Sequence, residues 1–217
     1  MSDLQSDRTA LNRYPARGRH DFATVAAILD EGFFCHLGFA VNGQPYVIPT
    51  GYGRADRVLY IHGSAASRML NEVGKGIAVC VTVTLVDGLV LARSAFHSSV
   101  NYRSVVILGT AESVPEGEKI QALKAITDHI VPGRWDSLRL VRKEEIILTT
   151  VLKLNIVEAS AKVRSGPPLD DEEDYRLPIW AGTLDFPPLS GSPKPDPRLN
   201  AGLPLPAHVK NYRRVKS

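Results

Sequence analysis

The sequence predicts a mainly β protein with flanking helices (α+β), its strands closed into an antiparallel barrel. Three observations carry that expectation. Most apolar runs are short and β-branched, and hairpin signals such as Asn42-Gly43 and Asp87-Gly88 separate them. Only a few stretches carry a helical period. No G-x-G-x-x-G follows a strand and no G-x-x-x-x-G-K-[ST] occurs, so parallel nucleotide-binding folds are not supported.

The elements follow in order. Residues 1–19 are polar and form an N-terminal arm. Asp21 caps a helix over Phe22–Glu31, whose Phe22, Val25, Ala26 and Leu29 share one face, and Gly32 ends it. Phe33–Val41 is an apolar strand, and Asn42-Gly43 turns it into a partner over Gln44–Thr50 because both residues tolerate positive φ. Gly51 to Asp56 is read as a break, with a second strand through Val58, Tyr60 and Ile61. A helix over Ala66–Val73 stops at Gly74, and the run IAVCVTVTL up to Leu85 reads as a strand buried on both faces. Asp87-Gly88 is expected to turn the chain into a strand over Leu89–Phe96. Val105–Val114 is a long strand with Gly109 as a bulge. Glu116–Val131 is an amphipathic helix stopped by Pro132-Gly133, Glu144-Glu145 open a connector, and Thr149–Val157 is the last strand.

From Asp185 the composition changes. Seven of the 15 prolines (187, 188, 193, 195, 197, 204 and 206) lie before Ala207, which excludes a regular element. The expected organisation is therefore the arm over 1–19, one domain over 20–184 and an extended tail over 185–217.

Composition narrows the function. A net charge of +3 and a pI near 8.9 suit an anionic ligand, but no concentrated basic stripe marks nucleic-acid binding. Cys35 and Cys80 sit in apolar runs and read as buried, reduced thiols. No apolar run reaches the length of a membrane span and the N-terminus lacks a signal core, so a cytoplasmic protein is expected. Six scattered histidines show no metal-ligand spacing; His36 is read as a core histidine.

The most informative stretch is Val47–Met69. Its Gly63-Ser64-Ala65-Ala66-Ser67-Arg68 turn leads into a helix, where free N–H groups and an arginine fork suit a phosphate. His62 stands beside that turn. Asn101, Arg103 and Ser104 are candidates for a pocket rim. Lys162 and Arg164 alternate onto one side of an extended chain, where they either meet an anion or are neutralised by the acidic run Asp170–Asp174. Trp180 is an aromatic wall or a contact residue.

Together these segments resemble the flavin-binding split barrels related to pyridoxamine 5′-phosphate oxidase, in the flavin-nucleotide-binding or nitroimidazole-resistance-like branch. The matching residues are Pro49-Thr50-Gly51-Tyr52-Gly53, Leu59 to Ala65, Ser67-Arg68, Asn101 to Val105, Ser160 to Gly166 and Trp180-Ala181-Gly182. The resemblance implies an antiparallel split barrel, a homodimer and FMN (or FAD) at the subunit interface. It places the flavin phosphate on Ser67 and Arg68. Pro49, Thr50, Gly51 and Tyr52, with Tyr60, Ile61 and His62, would edge the ring and ribityl chain, largely through backbone. Ser104, Lys162, Arg164 and Trp180 would approach the flavin, the last three from the C-terminal part. The implied function is an FMN-dependent oxidoreductase of unknown small substrate; the alternative is a non-catalytic flavin-binding protein for storage or sensing. Trp180 is followed by AGTLDFPPLSG, without the Arg-x-His pattern by which the vitamin-processing oxidases grip their substrate, and Met69 stands where those enzymes carry a second base.

Overall fold

The fold is taken from a computed structural model that describes residues 4–188, 190–200 and 202–213. The first residues of the arm and the basic end beyond Arg213 lie outside the described residues. The chain runs through β1 (Gly18–Arg19), α1 (Phe22–Glu31), β2 (Phe34–Val41), β3 (Gln44–Ala55), β4 (Val58–Ser64), α2 (Arg68–Val73), β5 (Ala78–Leu91) and β6 (Ser99–Thr110). It continues through β7 (Glu112–Ser113), α3 (Lys119–Ile130), α4 (Lys143–Ile147), β8 (Thr149–Asn155), β9 (Ala159–Arg164), β10 (Gly182–Asp185) and α5 (Ala207–Lys210). The strands form one curled antiparallel sheet in the order β1-β9-β6-β5-β2-β3-β4-β8-β7. One edge of β5 is shared, with β2 on Val79–Thr82 and β10 on Gly88–Leu91.

Alternation explains the core. Cys35 and Leu37 of β2, Leu59 and Ile61 of β4, Val79, Val81 and Val83 of β5, and Val105 and Ile107 of β6 all point inward and are buried. α1 closes this interior with Val25, Ile28 and Leu29, and starts where expected, the Asp21 carboxylate accepting the Thr24 N–H at 2.8 Å. α3 packs on the other face of the sheet, where Ala122 and Ile126 meet Val151 and Tyr60.

Several sequence expectations give way. The β3 strand does not break at Gly51 but runs to Ala55, and the turn falls on Asp56-Arg57. Its glycines serve packing: a Cβ on Gly53 would lie 2.3 Å from the Ile126 Cα, so only glycine lets α3 sit this close. Asp87-Gly88 is not a turn either. It is a bulge inside β5, where the register shifts between Val86 and Gly88 and the Asp87 carboxylate joins an ion cluster. The return strand expected over Leu89–Phe96 is the end of β5 itself. Gly109 keeps regular register with Val79; its lack of a side chain makes room for Leu154, whose Cδ1 would be 2.9 Å from a Cβ there. β8 is not the last strand, since β9 and β10 follow. Cys35 is buried and Cys80 half-buried, both free. Among the described residues no helix is long and apolar enough to cross a membrane.

Candidate functional site

Where odd residues of β2 point into the barrel, even ones point out. Phe34 and His36 are exposed on the outer face, so His36 is not the core histidine expected from its apolar run. The register carries this face across the sheet. His36 lies opposite Pro49 and Thr82, Thr84 opposite Ser104, and Ser104 opposite Lys162. Phe34 lies opposite Gly51, and Tyr102 opposite Arg164. Pro49, Gly51, Ser104, Lys162 and Arg164 therefore share one surface although they come from three strands far apart in sequence. His62 projects from β4 between the buried Ile61 and half-buried Gly63, and desolvation holds its imidazole below the usual histidine range.

The remaining expected residues face elsewhere. Tyr52 is fully buried, donates its hydroxyl to the Leu29 carbonyl at 2.6 Å and packs against His129. Ile61 is buried, Thr50 points inward with Cys35, and Tyr60 lies under α3. These four can offer a ligand on the outer face backbone groups only. Trp180 is largely exposed, its ring edge lying against Gly182 at the start of β10.

The Ser67–Arg68 turn forms as the sequence suggests. Ser67 is the N-cap of α2 and its Oγ accepts the Leu70 N–H. The N–H groups of Ala65, Ala66 and Ser67 are taken by the Leu148 carbonyl, Ser64 Oγ and the Ser64 carbonyl. Arg68 opens the helix, is exposed, and its guanidinium stands 5.1 Å from the centre of the Tyr46 ring. Among the described residues it has no carboxylate partner.

Arg103 belongs to a different structure than the expected rim. It points inward and forks between the carboxylates of Glu31 and Asp87, at 2.8 Å and 2.7–2.8 Å for the unstrained contacts. Those two hydrogen-bonded carboxylates drive its guanidinium pKa further up. Beside it opens a cavity of about 520 Å³ lined by residues including Asn101, Arg164, Gly166 and Thr183. Arg164 donates to the Asn101 Oδ1 at 2.5 Å, and Asn101 donates to the Gly166 carbonyl at 3.1 Å. Sequence reasoning missed Phe34, His36, Tyr46 and Thr84 as neighbours of the site. The signal that finds them is alternation: once Cys35 and Leu37 are inward, His36 must be outward.

The profile of the pyridoxamine 5′-phosphate oxidase family matches residues 21–163. The chain belongs to that family. Among solved structures, the flavocytochrome Anf3 from Azotobacter vinelandii is 44% identical, covering 97% of this chain and 99% of its own, with a TM-score of 0.90. A FAD- and heme-binding protein from Mycobacterium smegmatis is 35% identical, covering 89% of this chain and 96% of its own, with a TM-score of 0.87. A Bacteroides thetaiotaomicron protein provisionally assigned to 5-nitroimidazole antibiotic resistance shares the fold at 23% identity and a TM-score of 0.55, over 67% of this chain and 86% of its own. No curated protein matches the sequence. The family match runs from α1 to Val163 of β9, so the Ser67–Arg68 turn and the outer face as far as Lys162 lie inside it.

Proposed function

We propose that this member of the pyridoxamine 5′-phosphate oxidase family is a flavin-dependent oxidoreductase acting on a small molecule. The observation that carries the reading is the outer face itself. Pro49, Gly51, Ser104 and Lys162 are brought onto one surface, and the same strand pair that supplies Pro49 and His62 leads into an arginine-bearing turn. When bound, the flavin supplies the hydride and electron chemistry.

The chain's own residues supply binding and orientation. Arg68 offers a planar charged fork to a phosphate. The N–H groups of Arg68 and Met69, in the first turn of α2, have no acceptor inside the helix. The Ser67 hydroxyl, accepting from Leu70, still has its own proton to donate. The backbone of Thr50–Tyr52 and Tyr60–Ile61 can meet the polar edge of a flat ring, and Gly51 lets a ring approach. Lys162 puts a cation beside Ser104, where negative charge on a reduced ring would be favoured. FMN satisfies every one of these contacts. The FAD- and heme-binding M. smegmatis neighbour favours FAD.

The reading includes a homodimer. The exposed Phe34 and Val47 lie on the same outer face as Pro49 and His36, and pairing two such faces buries apolar surface and encloses the ligand. A second cofactor is favoured by the two neighbours whose names carry heme or a flavocytochrome. His36 would hold such a group through a ring nitrogen: it stands on an exposed face beside Phe34, with no hydrogen-bond partner for its ring among the described residues. His36→Ala is expected to remove a Soret band while leaving flavin content unchanged; an unaltered band excludes His36 as the ligand.

Arg68→Ala tests the phosphate assignment. Losing one charge-assisted bond costs about 1.5–3 kcal/mol, so flavin affinity should fall about 10- to 100-fold in a fluorescence-quenching titration. Equal affinity in wild type and variant overturns the assignment.

A further inference from the structure

We infer that Arg13, Arg17 and Arg164 form a second anion site, one that takes a phosphate group at the β9 edge of the sheet. The site deepens the flavin reading, on which its dinucleotide arm rests. Three observations meet there. First, β1 pairs with β9 so that Gly18 lies opposite Lys162, which brings the preceding Arg17 level with Val163 and next to Arg164. Burial and the nearby charge of Arg17 both disfavour the charge on Arg164. Second, the guanidiniums of Arg13 and Arg17 both stand over the Tyr14 ring, 5.2 and 4.4 Å from its centre. Tyr14 itself holds a left-handed backbone (φ 59°, ψ 59°), unusual for a residue with a side chain. Third, the acidic run does not neutralise the cluster. Asp170 is engaged by Arg93 and Asp171 by His97. Among the described residues Arg13, Arg17, Lys162 and Arg164 have no carboxylate partner. Arginines gathered without a counter-charge repel one another, and a multiply charged anion removes that repulsion.

The strand order places β9 five positions from β4, at most about 24 Å along the sheet. The cluster therefore stands on a different part of the sheet from the strand that leads into the Ser67–Arg68 turn. A phosphate there has two sources. It is the adenylyl phosphate of a flavin dinucleotide, which FMN lacks, or it belongs to a free phosphorylated ligand.

The test is the double variant Arg13→Gln/Arg17→Gln in the full chain, with circular dichroism to verify its fold. FAD and FMN are titrated by fluorescence quenching, and inorganic pyrophosphate by calorimetry at low salt. A loss of about tenfold or more in FAD affinity with FMN changed less than about threefold supports the site and assigns it to the dinucleotide. Unchanged FAD affinity with loss of pyrophosphate binding supports it and assigns it to a free phosphorylated ligand. Equal losses for FAD and FMN, or no change for all three probes, overturn it. Wild-type protein that binds pyrophosphate but neither flavin refutes the flavin reading and leaves the anion site standing.

Discussion

Arg103 is held by two carboxylates, and all three side chains are nearly shielded from solvent. Burying a cation is tolerable only while its partners face it. Arg103→Met removes the guanidinium from between the Glu31 and Asp87 carboxylates, and should cost about 3–5 kcal/mol in urea unfolding. An unchanged midpoint contradicts that role. Burial also pushes the Cys35 thiol up to about 12, whereas Cys80 is half-buried. A thiol reagent at pH 8 should therefore label Cys80 well before Cys35; equal rates contradict the placement. These pairings show what a sequence can disclose at this scale. Asn101 to Ser104 stand out as polar residues before an apolar strand, but nothing local says that Arg103 turns inward. Its partners lie 72 and 16 residues away, and only the sheet brings them together.

An element with its own start and stop signals, α1, was legible in full, whereas α2 and α3 begin two to three residues later than expected, at Arg68 and Lys119. Asp21 caps α1, and the helix runs from Phe22 to Glu31 as its period implies. The Thr24 N–H bond holds the Asp21 carboxyl below the usual carboxylate range. A folded-state pKa lowered in this way gives stability that is present above the unfolded pKa and lost as pH falls through the folded one. Asp21→Ala should cost about 1 kcal/mol at pH 7, or about 2–4 °C in Tm, and the gap should close as acid protonates the carboxyl. A gap that persists at low pH contradicts the cap. Strands that depend on a distant neighbour were read less well. Gly51 and Gly53 look like a break, yet β3 continues through both, paired with β2 and β4, and α3 packs closely on Gly53. Gly53→Ala should lower stability by about 1–3 kcal/mol, since backbone cannot move aside as a side chain can. Asp87-Gly88 carries the same ambiguity: a turn signal in isolation, a bulge once β6 runs alongside.

At the scale of the whole molecule, the antiparallel barrel followed from the count of strands and hairpins, and the order of motifs led to the family. The site was legible only in part. Sequence order selects Pro49, Gly51, His62, Ser104 and Lys162, but their common face depends on register across β2, β3, β5, β6 and β9. That face leaves Phe34 and Val47 about half or more exposed, at 51% and 66%, which is costly for an isolated chain. Light scattering should give the mass of a homodimer, and Val47→Glu should reduce both the mass and the flavin content. A monomer that retains flavin tightly contradicts the shared site. The most direct measurement is the visible spectrum of the purified protein, followed by mass spectrometry of the ligand released from it. The account predicts flavin absorbance near 450 nm, and release of FAD or FMN in about one copy per chain. A colourless protein that gains no such absorbance when supplied with either flavin contradicts it.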